Sequence, residues 1–248
     1  MNVKGVGIKR SVSHIEKVFV SWSGGKDCAL ACYRAIRNGQ DVRYLASMIM
    51  ENTGRLWPHH LIPEVISLQA KAMDIPLILR WTTAGESYME KYRQMLQDFR
   101  AEGLSGGVFG DVSIGNGQAK WHKQWVDDVC LPEGITPHRP LWGQGREELI
   151  TDLIESGFEA IIIMADEKLG KDFLGRKLDW NLLQELKQRY EQSPTGEVGY
   201  YHTFVIDGPM FKKRLQIPEA AKVFANGFWF LDITRCALAP KVREVVPA

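Results

Sequence analysis

Cysteine is scarce in this chain. There are four in 248 residues, at positions 28, 32, 130 and 236. Cys28 and Cys32 are four apart, which would place them on one helix face but is not a CxxC spacing. No second Cys/His cluster completes a zinc site. A disulfide scaffold and a zinc module are thereby excluded, and reduced thiols of a cytoplasmic protein are expected. No apolar run approaches the ~18 residues that suggest a membrane span. The first 16 residues contain no apolar stretch of signal-peptide type, so no membrane partner is expected. Neither charge sign is in excess: 31 Lys and Arg stand against 30 Asp and Glu, net +1. That balance gives no reason to expect a nucleic-acid partner, although a local basic patch is compatible with it. Repeats, low-complexity segments, a Walker A string and GxGxxG are also missing.

What the chain has is alternation. KVFVSW (17–22) is a short, apolar, β-rich run that reads as a buried strand. Leu30, Tyr33 and Ile36 then repeat at helical spacing, and Gly39 supplies a stop. Strands are expected at 41–50, 75–82 and 106–112. Helices are expected from Pro63, over 86–102 and over 118–130, where Trp121, Trp125 and Val129 share a face. This order predicts an α/β fold with a Rossmann-like parallel sheet and crossover helices. Residues 131–143 hold three prolines and two glycines, so a first domain is expected over 1–134 and a smaller α/β domain over 135–248. In the second, a helix at 145–157, a strand at 158–166, a helix near 178–191, a helical 218–227 and a strand-like 228–238 are expected.

The most informative stretch is SWSGGKDCAL, residues 21–30, placed between the first strand and the first helix. Glycines let backbone N–H groups approach an anion. The following helix directs its N-terminus, with its partial positive charge, at the same point. Ser23 adds a hydroxyl and Lys26 a full positive charge. Asp27 suits magnesium coordination or bracing of the loop. A plain Gly-Gly turn is the alternative. Phe109-Gly110-Asp111 ends another expected strand, so two candidates fall on the carboxyl edge of one sheet, where such folds bind ligands.

Ser23-Gly24-Gly25-Lys26-Asp27 after a strand resembles the PP-loop of the N-type ATP pyrophosphatases, which are adenine nucleotide alpha hydrolase-like proteins. Further residues narrow the resemblance: His59, Gln69-Ala70, Ile75-Pro76-Leu77, Gly110-Asp111, Trp125, Cys130 and Pro140-Leu141-Trp142. Gly196-Glu197, Gly199, His202-Thr203 and Asp207-Gly208-Pro209 continue it. With these the chain resembles the diphthine–ammonia ligase family from about residue 17 to about residue 235. The resemblance implies a two-domain, ATP-dependent ligase that joins ammonia to a carboxylate through an acyl-adenylate and releases AMP and pyrophosphate. It implies ATP and Mg2+, ammonia, and a protein partner, elongation factor two carrying diphthine. It also implies binding roles for Ser23, Gly24, Gly25, Lys26, Asp27, Cys28 and Gly110, with Asp27 at magnesium, and catalytic roles for Lys26, Asp111, Glu197 and His202. Two residues depart from the family pattern: Cys28 stands where the loop usually ends in serine, and Tyr200 where the pattern has an acid.

For other single residues the expectation is structural. His59 and His60 are expected in a surface loop, and His122 on an exposed helix face. Arg139 is expected as a solvated linker charge, and Asp127-Asp128 as a solvated helix face. Diphthine carries a quaternary ammonium, for which the aromatic faces of Trp142, Tyr200 and Tyr201 are candidates. Two rival functions stay open at this point: adenylation or thiolation of tRNA, and a non-catalytic adenine-nucleotide module. A homo-oligomer is also left open.

Overall fold

The computed structural model describes residues 15–113, 117–192 and 200–241. The first apolar run is strand β1 (Lys17–Ser21), which faces two cores: Val18 and Val20 point into one, Phe19 into the other. Helix α1 (Lys26–Arg37) starts directly after the glycine pair and stops at Asn38 and Gly39. There follow β2 (Asp41–Met50), the short β3 (Arg55–Leu56), α2 (Pro63–Met73), β4 (Leu77–Thr82) and α3 (Glu86–Ala101). Pro63 opens α2 where its missing N–H is not needed. Then come β5 (Gly106–Val108), shorter than expected, α4 (Gly117–Cys130) and β6 (Thr136–His138).

The parallel strands stand in the order β4-β2-β1-β5-β6, with β3 pairing antiparallel to the far end of β2. The chain builds outward from β1 through β2 to β4, then returns to place β5 on the other side of β1. The order therefore reverses between β1 and β5. At such a reversal the loops leaving two adjacent strands splay apart and leave a crevice at their carboxyl ends. Residues 22–25 leave β1 there, and residues 109–111 leave β5. Helices cover both faces. On the α3 and α4 side, Tyr92, Met95, Leu96 and Phe99 pack with Val126 and Val129.

The second sheet is antiparallel, ordered β8-β7-β10-β9, from β7 (Glu159–Asp166), β8 (Tyr201–Asp207), β9 (Arg214–Ala225) and β10 (Phe228–Ala239). Helices α5 (Arg146–Glu155) and α6 (Trp180–Gln192) belong with it. Residues 160–165 of β7 are all buried, which explains the uninterrupted apolar run AIIIMA. Side chains of α1, α2, α5, α6, β7 and β8 form one continuous core, so β8 lies directly against the start of α1.

One expected element is of the wrong type. Residues 218–227, with a leading proline and several alanines, read as helical, but they fall in strand β9 and its turn. The reason is the turn Asn226-Gly227, whose φ angles of 53° and 80° close a two-residue hairpin onto β10. That turn chemistry and the burial of Phe230 and Ile233 on β10 override the local helical preference. Pro218 is tolerated because β9 is an edge strand.

Candidate active site

The loop after β1 is pinned from three sides. Gly24 adopts φ 80°, a conformation that favours glycine. Its carbonyl accepts the Val205 N–H from β8 (2.9 Å) and Nε2 of Gln69 from α2 (3.0 Å). Gln69 Nε2 also donates to the Val205 carbonyl (2.7 Å), while Trp22 Nε1 donates to Gln69 Oε1 (2.8 Å). The first amide of α1, on Lys26, donates to Thr203 Oγ1 of β8 (3.0 Å). No side chain of the loop itself caps α1, so the second sheet supplies the cap. The fourth side is Gly110: a Cβ there would lie 2.6 Å from Cys28 N and 2.7 Å from Asp27 C. The contact is backbone on backbone, so Gly110→Ala must push β5 and the α1 N-terminus apart. We expect it to lower stability by roughly 1–3 kcal/mol, the usual range for overpacking, and to weaken nucleotide binding; thermal melting and calorimetry check both.

Within the loop, Lys26 Nζ pairs with Asp27 Oδ2 at 2.7 Å and lies 5.5 Å from the centre of the Tyr201 ring. Burial alone would lower the Lys26 pKa, but Asp27 and Tyr201 outweigh it and leave it above its ordinary value. Lys26 is therefore an ammonium at neutral pH. Asp27 retains 34% exposure and is a carboxylate available beside the loop. Among the described residues no group of three His, Cys, Asp or Glu side chains gathers to hold a metal. Cys28 is buried; its thiol donates to the Gly25 carbonyl (3.2 Å) and accepts from the Ser23 hydroxyl (3.4 Å), and burial pushes its pKa up. It braces the turn as a neutral thiol. Arg146, exposed at the start of α5, extends its positive field to Lys26, Tyr200 and Tyr201.

His59 is not on the surface, contrary to expectation. The turn between β3 and α2 folds it inward against the loop: it is 8% exposed, and a Cβ on Gly25 would sit 2.7 Å from its Nε2. Its ring lies 4.3 Å from that of His202 on β8, tilted by 46°. Burial, and then the charge of Lys26, lower the His202 pKa from 6.5 to about 3. Burial, then His202 and Lys26, hold His59 well below 6.5. Both rings are neutral in the folded protein and titrate near pH 6.5 once unfolded. Below that pH the unfolded chain binds the extra protons, so stability falls as pH drops from about 6.5 toward 3. By pH 5 the loss from His202 alone is about 2 kcal/mol, and His59 adds to it in the same direction. Melting curves between pH 7.5 and 5.0 should show this decline before the carboxylates titrate.

Asp111 is not at a strand end as expected, since β5 stops at Val108; it lies three residues on, in the loop leaving that strand, held by Arg139 Nε (3.3 Å) and His122 Nδ1 (3.0 Å). Arg139 also donates to Asp127 Oδ1 (2.8 Å) and to the Lys123 carbonyl (3.0 Å). Two expectations are corrected here. Arg139 is not a solvated linker charge, since its side chain is 8% exposed. Asp127 is not on a solvated face, since it receives both Arg139 and Lys123. His122 is half-exposed, as expected, yet joins this network. Glu197, Gly196 and Gly199 lie outside the described residues. The structure thus brings Ser23 to Cys28, Gly110 and His202 together at one crevice, with Asp111 beside Gly110 and tied to α4. Sequence reasoning quoted Gln69 and Thr203 among the family-matched residues but gave them no role, and it did not single out Arg146 or the buried position of His59. For Gln69 there was one usable signal, a lone amide among the apolar positions of α2. A concavity of about 710 Å3 runs along α3 beside Trp125, lined by none of the loop residues. The site is defined by its donors, not by that hollow.

Two family models match the chain: the diphthamide synthase N-terminal domain over residues 16–137 and the diphthamide synthase C-terminal domain over residues 145–239. The chain belongs to the diphthamide synthase family. The N-terminal match ends within β6 and the C-terminal match begins just before α5, so each covers one of the two sheets. Among curated proteins, this diphthamide synthase chain is similar to a diphthine–ammonia ligase of Rattus norvegicus, with 27% identity, covering 88% of this chain and 88% of the relative. It is also similar to those of Danio rerio (27%, 85% and 90%) and Homo sapiens (28%, 85% and 80%). Among solved structures it overlaps a protein titled a predicted subunit of tRNA methyltransferase from Methanocaldococcus jannaschii. The TM-score is 0.42 and the identity 18%, covering 79% of this chain and 98% of that one.

Proposed function

We propose that this protein is an ATP-dependent carbon–nitrogen ligase of diphthamide biosynthesis, which amidates the carboxylate of diphthine with ammonia and releases AMP and pyrophosphate. The observation that carries this reading is the loop Ser23–Asp27, fixed at the sheet's reversal point by both halves of a diphthamide synthase chain. A carboxylate is a poor acyl donor. Attack of its oxygen on the α-phosphorus breaks the bond to pyrophosphate and forms an acyl-adenylate. The nitrogen lone pair of ammonia then attacks the acyl carbon, AMP leaves, and one proton passes to solvent. Lys26 and the α1 N-terminus meet the negative charge gathering on the departing pyrophosphate, where positioned donors act most strongly.

Magnesium keeps most of its waters and takes one or two carboxylates together with substrate phosphates. A partly exposed Asp27 beside the loop fits that requirement and is the residue we assign to it. When bound, the metal neutralises phosphate charge. Asp111, held by Arg139, positions α4 against the crevice. In this reading residues 1–134 hold the nucleotide and residues 135–248 face the protein substrate, elongation factor two carrying diphthine, in the cytoplasm. No helix among the described residues is long and apolar enough to cross a membrane. The test is incubation with ATP, magnesium chloride, ammonium chloride and diphthine-bearing elongation factor. Expected is one AMP per amide formed, read by mass spectrometry of the modified peptide. AMP formation without amide would defeat the substrate assignment.

A second reading, an adenine-nucleotide-binding module without turnover, is favoured by a single feature. The ring of Tyr200, where the pattern has an acid, stands perpendicular to that of His202 with the ring centres 4.8 Å apart. ATP binding with no AMP produced from any acceptor would select it.

A further inference from the structure

We propose that Tyr200 and Phe228, with the carboxylate of Asp166 beside them, form the receptor for the quaternary ammonium of the substrate. The inference rests on the reading that diphthine is amidated here, and deepens it. In diphthine the ammonium is bonded to the carbon that carries the reacting carboxylate. Its receptor must therefore border the loop and stay open while nucleotide is bound. The two rings meet both conditions. Tyr200, directly before β8, is 48% exposed, and Phe228, the first residue of β10, is partly exposed. Their ring centres lie 6.1 Å apart with the planes inclined at 64°. The Tyr200 ring is 4.8 Å from that of His202, which is 4.3 Å from that of His59, packed on Gly25. The pair thus adjoins the loop without filling it. Asp166 fixes the pair: its N–H donates to the Tyr200 carbonyl (2.9 Å) and its Oδ2 accepts the Tyr200 N–H (2.8 Å). Asp166 also stands directly opposite Phe228 across β7 and β10, and such cross-strand neighbours share a face. Aromatic faces attract a quaternary ammonium, and a carboxylate next to them adds its charge. Where the family pattern has an acid, this chain has a ring whose backbone is tied to an acid of another strand. Tyr201, also expected for this role, is taken: Lys26 Nζ already lies 5.5 Å from its ring centre.

The surrounding charges set the order of binding. Lys26 and Arg146 both act on the Tyr200 phenol, opposed by Asp27. Without nucleotide this net positive field disfavours a second cation. The triphosphate, with its greater negative charge, reverses the sign. The ammonium is therefore received after ATP, when its carboxylate has a phosphorus to attack.

The experiment is steady-state amidation of diphthine-bearing elongation factor by the full chain, with ATP and the factor varied in turn. Two inhibitors are compared. Glycine betaine carries a trimethylammonium next to a carboxylate, and 3,3-dimethylbutanoate has the same shape without the positive charge. Tyr200→Leu should raise KM for the factor by about 2- to 30-fold, the range of one cation–aromatic contact, and leave KM for ATP within about 2-fold. Tyr200→Phe keeps the ring and should stay within about 3-fold of wild type. Betaine should inhibit wild type and Tyr200→Phe more strongly than its isostere does, competing with the factor and uncompetitively with ATP. Phe228→Leu should reduce that preference, and Tyr200→Leu should abolish it. The receptor is overturned if betaine inhibits wild type no better than its isostere, or if it competes with ATP. It is equally overturned if Tyr200→Leu keeps the wild-type KM and preference, or if Tyr200→Phe loses as much as Tyr200→Leu. Should wild type form no amide, the diphthine reading fails and the receptor with it. Normal amidation with indifferent Tyr200 variants removes the receptor alone.

Discussion

Lys26→Ala should weaken ATP binding by about 10- to 150-fold, the range of one hydrogen bond to a charged group. Lys26 is 19% exposed at the start of α1, remains an ammonium despite burial, and sits where the helix N-terminus already favours an anion. Its removal acts twice: the phosphates lose a cation, and Asp27 loses its 2.7 Å partner and becomes an uncompensated carboxylate beside them. With ATP titrated in the absence of magnesium, where Asp27 has no metal to hold and only repels the phosphates, the double variant Lys26→Ala/Asp27→Asn should therefore recover part of the lost affinity, which a purely structural role for the pair would not predict. Lys26→Arg should not restore full affinity, because a planar fork does not replace a compact ammonium. Turnover should fall further than binding, by about 10²- to 10³-fold, since the charge it meets develops as pyrophosphate departs. Global stability should change by less than ~1 kcal/mol, as for an ion pair near the surface. Calorimetry and melting separate the two effects. Unchanged ATP affinity in Lys26→Ala would remove the basis for a phosphate-gripping loop.

The contrast between what the sequence discloses and what it hides follows from the range of the interactions. The parallel sheet was legible because each strand and helix carries its own period, and because Gly39, Pro63 and the glycine pair mark boundaries locally. The loop was legible for the same reason: its glycines, lysine and aspartate are contiguous. The helical reading of 218–227 failed although a local signal existed, since Asn226-Gly227 between two β-compatible runs marks a hairpin. The partners of the loop were hidden in another way. Thr203 meets Lys26 across 177 positions, and Gln69 meets Val205 across 136. Nothing at 69 or 203 alone announces either bond. His59 was obscured by its neighbour, because a His-His pair after Trp57-Pro58 reads as surface until the β3–α2 turn is seen to fold it inward. Arg139 and Asp127 were misjudged because a charge looks solvated until its counter-charge, twelve residues away in sequence, is placed beside it.

Gln69→Leu should be among the most destabilising single changes in the protein. Gln69 is 0% exposed and makes three hydrogen bonds with its two amide atoms. Leucine has nearly the right volume but leaves the Trp22 indole N–H and the Val205 carbonyl facing an apolar chain. The Gly24 carbonyl loses one of two donors and keeps the Val205 N–H. Each orphaned buried group costs about 1–3 kcal/mol, so the sum is roughly 2–6 kcal/mol. For a chain of this size that lowers the melting temperature by about 5–20 °C. Trp22→Phe in the same background removes the orphaned donor and should return about 1–2 kcal/mol, which a cavity or a propensity effect would not do. Glu64→Ala, on the exposed face of the same helix, should stay within about 0.5 kcal/mol of wild type. Gln69 ties together the exit of β1, the loop and β8, so the loss should also reach function. Below its melting temperature the leucine variant should bind ATP more weakly than wild type, and saturating ATP should restore part of its melting temperature through linkage. A variant that melts with wild type would show that the amide is dispensable, and that the loop holds its shape without the second sheet.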